Sequence, residues 1–257
     1  MAEVPGEGAA RVYAAARRFT DRCLHRNGSV LSSRRRWAPE LLDDLLARLR
    51  DRGAVGTFPH RWAEVLADAP DACVELAAEA CYVHVLFATD LAPTTKRALV
   101  HATLARSSAA PRVPADLDAA LDGGLAGTGV AFKTRRLSQL RYLLAAARAI
   151  KDVRRRDRES LLTDADAFVA WLRDLPCDGA DAQREILAHL VHPHAFEPIV
   201  SRRVKERVVA AYGGGHDDVD VALRALRARL EPEHGAGFAF VDLVDVRRAP
   251  AGQRPSA

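Results

Sequence analysis

The chain has 257 residues, enough to bury a substantial hydrophobic core in one large or two small domains. Apolar residues make up 49% of it and charged residues 28%, which are ordinary values for a globular protein and argue against a largely disordered chain. The net charge of +4 is too modest an excess to establish nucleic-acid binding by itself. No run approaches 18 apolar residues and the amino terminus lacks a secretory-signal pattern, so we expect a cytoplasmic protein without a membrane segment.

Apolar residues at helical spacing recur along the whole chain. The first apolar stripe consists of Val12, Ala16, Phe19 and Cys23. A second helix is predicted to begin at Pro39, which suits a first helical position, and to continue as a leucine stripe to a C-cap at Gly53. A short helix containing Trp62 follows a turn at Pro59. Asp71 is then expected to cap a longer helix that is apolar on much of its circumference and therefore runs through the core.

The remaining elements are also predicted to be helical. A helix opened by Thr89 or Asp90 and Pro93 runs toward Leu104, a loop covers 107–114, and a short helical piece covers 117–121. A glycine-rich segment then leads into a helix that begins near Phe132. Further helices are predicted at 164–175, 182–191, 201–212 and 217–230, and residues 238–246 favour one short strand.

These patterns predict an all-α protein, an irregular multi-helix array with at most one short C-terminal strand. No fixed-period repeat is present, so a regular solenoid is not indicated. The predicted organisation is an N-terminal helix and basic linker over 1–36, a helical domain over 37–240, and a tail over 241–257 that is disordered toward its end.

Neither the cysteines nor the glycine-rich segment predicts chemistry. Cys73 and Cys81 lie two helical turns apart, about 12 Å, which is too far for a disulfide, so the thiols are interpreted as small buried hydrophobes. The segment from Gly123 to Thr134 places Lys133 at the start of a helix, but a P-loop needs glycine directly before the lysine and a strand before the loop. Phe132 occupies the glycine position, so we expect no nucleotide binding.

The histidines His189, His192 and His194, together with His84, provide a possible zinc set. His189 and His192 share a helix face, but Pro193 directs His194 elsewhere, and packing or capping roles are favoured instead. No Ser-His-Asp or catalytic cysteine signature is present. The sequence therefore predicts no metal, no cofactor and no enzymatic activity. The alternative is a metal-dependent enzyme whose site is assembled from positions distant in the sequence.

Basic residues form four clusters along the chain, one of which follows a predicted N-cap at Ser201. On that helix Arg203 and Arg207 stand four residues apart on one face, as is suitable for lying along a phosphate backbone. The predicted nucleic-acid contacts are Arg135, Arg136, Ser201, Arg202, Arg203, Lys205 and Arg207. The two further clusters are Arg34, Arg35 and Arg36, and Arg154, Arg155, Arg156 and Arg158. The alternative interpretation of each cluster is a solvated helix face paired with acids such as Glu206.

Several ordered passages resemble one family. The passage from His189 to Tyr212, HLVHPHAFEPIVSRRVKERVVAAY, joins two helices through Phe-Glu-Pro-Ile-Val-Ser. It resembles the helical region that precedes the motor domain in McrB-type AAA+ restriction proteins. LAAEACYVHVLF with LAPTTKRALV, ALDGGLAGTGVAFKTRR, REILAHL and GFAFVDL are similar to further passages of that region in the same order. The chain departs from the family pattern at Lys133, His192, His194 and Val204.

The resemblance implies a recognition role without a motor. The family's Walker motor would follow Phe240, and the chain ends at residue 257, so nucleotide hydrolysis by that mechanism is not expected. In such machines the amino-terminal part supplies target recognition or partner contacts. The implied function is a non-enzymatic recognition module of a prokaryotic restriction or anti-phage system, which contacts DNA and works with a separate AAA+ motor or nuclease. The alternative is a protein-interaction scaffold that does not bind DNA.

Overall fold

The computed structural model describes residues 6–51, 56–109, 111–235 and 237–243. This part of the chain is all-α and contains no strand, which confirms the predicted fold class. An isolated parallel bridge joins Ala88 to Ala126. Within the same part of the chain, no helix has both the length and the apolar character needed to cross a membrane.

The described residues form fourteen α-helices. The first seven are α1 (Glu7–Phe19), α2 (Pro39–Asp51), α3 (Phe58–Val65), α4 (Asp71–Leu86), α5 (Pro93–Leu104), α6 (Ala115–Ala120) and α7 (Gly129–Thr134). A π-helical turn, Thr20–Leu24, continues α1. The others are α8 (Arg136–Asp152), α9 (Arg155–Thr163), α10 (Ala165–Asp174), α11 (Asp181–Val191), α12 (Arg202–Tyr212), α13 (Val219–His234) and α14 (Phe240–Leu243).

Helix α4 is the centre of the molecule. Every residue from Cys73 to Leu86 is buried, and α1, α2, α5 and α8 pack around the helix. This is the environment expected for a helix that is apolar on nearly all sides, and it confirms that α4 runs through the core. Three polar side chains are buried with it, Glu75, Glu79 and His84, and each needs a partner because unpaired buried polar groups are costly.

The hydrophobic core has two parts. The larger cluster extends from Val12 on α1 to Phe196 and includes the buried side of α8 and α11. The smaller cluster lies between α12 and α13 and consists of Ile199, Val208, Val219, Leu223, Leu226 and Phe240. Helices α12 and α13 therefore form a hairpin with a hydrophobic cluster of its own, which we call the C-terminal hairpin.

The Phe-Glu-Pro-Ile-Val-Ser passage joins these two clusters. Phe196 is buried in the larger cluster and Ile199 in the smaller one. Between them Glu197 accepts two hydrogen bonds from Arg227 of α13, one of them at 2.7 Å, and Arg227 also lies 4.2 Å from the ring centroid of Phe238. Ser201 then caps α12, since its Oγ accepts from the Val204 amide at 3.4 Å. Phe196, Glu197, Ile199 and Ser201 of this passage thus each have a structural task.

Burial of the first apolar stripe and of the cysteines agrees with the sequence. Val12, Ala16, Phe19 and Cys23 are all at most 1% exposed. The four cysteines are free thiols, three of them buried. Burial raises the pKa of the thiols of Cys73 and Cys81 to about 12, so they are inert at neutral pH, as expected for small core residues.

Two predicted helix caps are wrong. Pro70 precedes α4 and Ala92 precedes α5, and neither Asp71 nor Asp90 caps the following helix. Asp71 instead accepts from the amide of Ser108 at 2.8 Å and from its hydroxyl, which ties the loop after α5 to the start of α4. Asp90 accepts hydrogen bonds from the glycine-rich loop. Both carboxylates accept hydrogen bonds from distant loops and not from the backbone of the helix that follows them.

Two other predictions also differ from the structure. The strand over 238–246 is wrong in its described half, because Phe240–Leu243 is a helical turn. Helix α9 was not predicted, since only Leu161 and Leu162 in its nine residues are apolar. Gly53, residues 244–246 and the tail from Ala249 lie outside the described residues.

Candidate nucleic-acid interface

Most of the contact residues predicted on α12 are engaged within the protein. Lys205 is 1% exposed, and its Nζ donates to Glu185 of α11 and, at 2.6 Å, to Asp220 of α13. It is therefore a buried structural ion and not a surface contact, which corrects its predicted role. Arg202 is exposed but pairs with Glu206 at 2.9 Å. Ser201 serves as the predicted N-cap.

The other predicted contacts divide between exposed and enclosed side chains. Arg203 and Arg135 are exposed, and the described residues give neither of them an acidic partner. Arg207 is half-buried, so Arg203 and Arg207 do not form the open pair that the spacing predicted. Arg136 is also half-buried, with its guanidinium 4.9 Å from the Phe58 ring centroid, and burial lowers its pKa. The predicted set therefore provides few free cations.

A different part of the structure joins the segments that carry two of the basic clusters. Lys151, in the last turn of α8, donates to the carbonyls of Cys23, Leu24 and Arg26, with the Leu24 contact at 2.9 Å. Carbonyls at the end of a helix lack intrahelical partners and carry partial negative charge, so a lysine caps them well. Burial, with a contribution from neighbouring Arg158, lowers the pKa of Lys151 to about 7.

Arg158 of α9 reinforces the same junction. Its guanidinium donates to the carbonyls of His25 at 3.2 Å, Lys151 at 2.9 Å and Val153 at 3.0 Å. The fork of donors thus binds three backbone oxygens from two chain segments at once. The two cations hold the end of the π-helical turn against the start of α9, although these segments are 133 residues apart in sequence.

The loop that carries Arg34, Arg35 and Arg36 is anchored on α4. The buried carboxylate of Glu79 accepts from the Ser29 hydroxyl, the Val30 amide at 2.8 Å and the Trp37 indole at 2.7 Å. Burial raises the pKa of Glu79, and these three hydrogen bonds oppose the rise. The loop is closed at its base, where the Gly28 carbonyl accepts from the amides of residues 36 and 37 at 3.1 and 3.0 Å.

Glu75 fixes two of the three arginines of this loop. Its two oxygens accept from Arg34 Nη1 at 2.9 Å and from Arg36 Nε at 2.8 Å. The Glu75 side chain is 4% exposed, whereas Arg34 is 53% exposed, so the carboxylate positions the arginine without covering it. Arg35 is 62% exposed and approaches Glu40 only to 3.5 Å.

Together these contacts join the two arginine-rich segments into one basic region of the protein. We call it the basic face, defined by the exposed residues Arg22, Arg26, Arg34, Arg35, Arg154, Arg155 and Arg156. The segments that form it, 21–36 and 148–159, contain eleven basic and four acidic residues, a net charge of +7, so the rest of the chain is net −3. Glu40, Asp43 and Glu75 from outside these segments neutralise part of the charge. Such a concentration of arginine is suited to binding phosphate.

The glycine-rich loop folds around a carboxylate of the protein itself. Asp90 accepts from the Thr128 amide at 3.0 Å, the Thr128 hydroxyl at 2.8 Å and the Gly129 amide at 3.2 Å, and it pairs with Lys133 at 3.0 Å. Gly129 has φ +75°, which glycine adopts without strain. Partial burial alone would raise the pKa of Asp90, but these partners outweigh it and lower the pKa to about 2. The amide and hydroxyl donors of this loop, which could have bound a phosphate, thus bind the carboxylate of Asp90.

Two of the candidate histidines, His84 and His189, are arranged as neutral core residues, whereas His192 is half-buried and His194 is exposed. His189 Nδ1 donates to the Phe196 carbonyl at 2.6 Å, which leaves Nε2 to accept from the Tyr13 hydroxyl at 3.1 Å. His84 Nδ1 donates to Gln183 Oε1 at 2.7 Å, and the ring stacks on Phe132 with centroids 4.1 Å apart. In the described part of the chain, no group of three or more His, Cys, Asp or Glu residues is arranged to hold a metal ion.

Sequence reasoning identified the arginine clusters but not which of them lie together. The carbonyl contacts of Lys151 and Arg158 have no signature in the sequence, because backbone acceptors are present at every residue. One signal was available, since no acidic residue occurs between Asp21 and Glu40. Five arginines in that interval therefore depend on distant acids or remain unpaired.

A comparison of the chain with protein-family models, with curated proteins and with solved structures gives no match.

Proposed function

We propose that this protein is a non-enzymatic helical module that binds nucleic acid, DNA in the first instance, through the basic face. The supporting observation is the junction at which Lys151 and Arg158 bind the backbone of residues 23–26 and so join the two arginine-rich segments. The junction concentrates cations in one region, which is not expected if a net charge of +4 were spread evenly over the protein. The concentrated charge matches a phosphate backbone.

The geometry favours arginine contacts to phosphate. Arg154 and Arg156 are 81% and 88% exposed and share one acid, Asp157, at 2.7 and 3.5 Å. Exposed ion pairs of this kind contribute little and exchange readily, so both guanidinium groups remain available to an incoming phosphate. Arg155 is exposed and has no acidic partner among the described residues.

The test is fluorescence-anisotropy binding to DNA across a salt series, with matched variants. Replacement of Arg154, Arg155 and Arg156 by Ala should weaken binding at least tenfold and lower the magnitude of the salt slope by about 2 to 3, since each phosphate contact contributes about 0.9. Replacement of the same three residues by Lys should preserve most of the slope. Arg203→Ala serves as the comparison on α12.

Two results would contradict the proposal. No salt-sensitive binding by the unaltered protein would exclude nucleic acid as the ligand and favour the protein-interaction scaffold. A loss caused by Arg203→Ala but not by the triple variant would move the site to α12. All four arginines lie on the surface, so we expect each variant to keep the fold. Circular dichroism of each variant checks this.

The resemblance to the pre-motor region of McrB-type proteins supports the choice of DNA over other polyanions. It also supports a working partnership with a separate AAA+ motor or nuclease in a prokaryotic restriction or anti-phage system. Purification of the tagged protein with its genomic neighbours after nuclease treatment tests this partnership. Recovery of a motor or nuclease subunit is expected, and its absence from a DNA-binding preparation would limit the proposal to DNA contact.

A further inference from the structure

The aromatic residues of this protein are all enclosed. The chain has 8 Phe, 4 Tyr and 3 Trp, all of which lie in the described residues, and none of them is exposed. Five are half-buried: Tyr13, Phe58, Trp171, Tyr212 and Phe238. Each of these five already contacts another ring. Proteins that bind single strands use exposed rings on which successive bases stack, and this protein offers none.

The arginines of the basic face are held on a rigid frame. Arg34 is fixed by Glu75, and the loop that carries it is fixed by Glu79. The start of α9 is fixed to the end of the π-helical turn through Arg158. The backbone segments that carry these cations are thus held at a fixed spacing, and such a frame fits a ligand whose charges also have fixed spacing. A duplex backbone meets that condition, whereas a flexible single strand gains little from it and pays an ordering cost.

Helix α9 presents a polar face to solvent. Its exposed residues are Arg155, Arg156, Glu159, Ser160 and Thr163, while Leu162 is the buried one. Glu159 stands one turn after the arginines and its carboxylate is 4.0 Å from His25, with the side chain 72% exposed. A carboxylate at this position opposes a phosphate that contacts Arg155 or Arg156, so it limits affinity.

From these observations we propose that the basic face binds double-stranded DNA through its phosphates alone, without base stacking. This inference rests on the proposed function and adds its substrate class. Contacts to phosphate position a protein on the duplex but carry no sequence information. The protein therefore binds duplexes of different sequence with equal affinity, and it binds a duplex more tightly than either of its strands.

The experiment compares three fluorescent probes in the same buffer: a 20-base-pair duplex, one of its single strands, and a duplex of the same composition with a permuted sequence. We expect the two duplexes to bind within twofold of each other and the single strand at least tenfold more weakly. Glu159→Gln should tighten duplex binding by about fivefold at low salt, because it removes a charge that repels phosphate.

The possible failures are distinct. Equal or tighter binding of the single strand would overturn the inference and leave nucleic-acid binding in place, as would a tenfold difference between the two duplexes. An unchanged or weakened affinity of Glu159→Gln would remove α9 from the contact surface. The matched variant Glu206→Gln on α12 should leave affinity unchanged. No binding to any probe would overturn the proposed function itself.

Discussion

Single buried carboxylates position whole segments of this protein. Glu79 accepts three hydrogen bonds from the loop 28–37, and its neighbour Glu75 accepts from two arginines of the same loop. A carboxylate has about four acceptor sites and no donor, so it suits a place where only donors converge. The basic loop is therefore ordered from inside, by two residues of α4.

Replacement of Glu79 by Ala should be severely destabilising. It would leave the Ser29 hydroxyl, the Val30 amide and the Trp37 indole without their acceptor in a dry site, and we expect a loss of about 3 to 5 kcal/mol in unfolding free energy. Urea unfolding followed by tryptophan fluorescence measures the change. Glu79→Gln keeps one acceptor oxygen and should cost about half as much. A loss below 1 kcal/mol for the Ala variant would show that the carboxylate does not organise the loop.

The buried histidines should make the fold sensitive to mild acid. Burial lowers the pKa of His84 to about 3 and that of His189 to about 4, both below the unfolded value near 6.5. Between these values the unfolded chain binds protons that the folded protein does not, so stability rises with pH. The contribution of the two neutral histidines to the free energy of unfolding is fully present above pH 6.5. It declines as pH falls toward 4, by up to about 1.4 kcal/mol per pH unit for each histidine.

Urea midpoints measured at pH 7, 6 and 5 check this expectation. His84→Gln should show a smaller pH dependence than the unaltered protein, whatever its stability at pH 7. Identical pH profiles for His84→Gln and the unaltered protein would contradict the role assigned to this ring.

Helices were predictable where local chemistry determined them and not where distant partners did. Pro39 and the leucine stripe defined α2, and the unbroken apolar circumference of α4 placed it in the core. Helix α9 was missed because its sequence, RRDRESLLT, is mostly charged, and the contacts that stabilise it come from α10 and the backbone near His25. The burial of Lys205 was equally hidden, since Glu185 and Asp220 belong to two other helices.

The C-terminal hairpin is joined to the larger core partly through charge. Lys205 bridges Glu185 and Asp220, and Arg173 of α10 donates to Asp220 at 2.8 Å and to the α13 N-cap Asp218. A buried network of this kind contributes little net stability when complete but is expensive to break, because each remaining charge is left desolvated.

Lys205→Met should therefore destabilise the hairpin. With the lysine removed, two buried carboxylates remain close together, and we expect a loss of about 3 to 5 kcal/mol. Arg202→Ala removes an exposed pair on the same helix and should cost less than about 1 kcal/mol. Hydrogen exchange of the α12 and α13 amides provides the measurement. Equal protection in both variants would show that the network does not hold the hairpin.

At the scale of the whole molecule, the two hydrophobic clusters and the basic face divide the protein into regions with different tasks. The segments that form the basic face pack on the larger cluster through Leu24 and Ile150, and the second half of α9 does so through Leu162. The smaller cluster packs α12 and α13 against each other and against Ile199 and Phe240. If DNA binds at the basic face, loosening of the hairpin should not affect affinity, whereas loosening of α9 should abolish it.

A matched pair of leucine truncations tests this division. Leu226→Ala opens a cavity in the smaller cluster, where the side chain is 3% exposed, and should speed amide exchange in α12 and α13 while duplex affinity stays within about twofold. Leu162→Ala removes the buried side chain of α9 and should weaken duplex binding at least tenfold, because Arg155 and Arg156 lose their fixed positions. The opposite pattern, with affinity lost in Leu226→Ala and kept in Leu162→Ala, would place the nucleic-acid contact on α12, as the sequence alone predicted. Both variants delete the same atoms from a buried leucine, so a difference in affinity between them reports the location of the site and not the severity of the substitution.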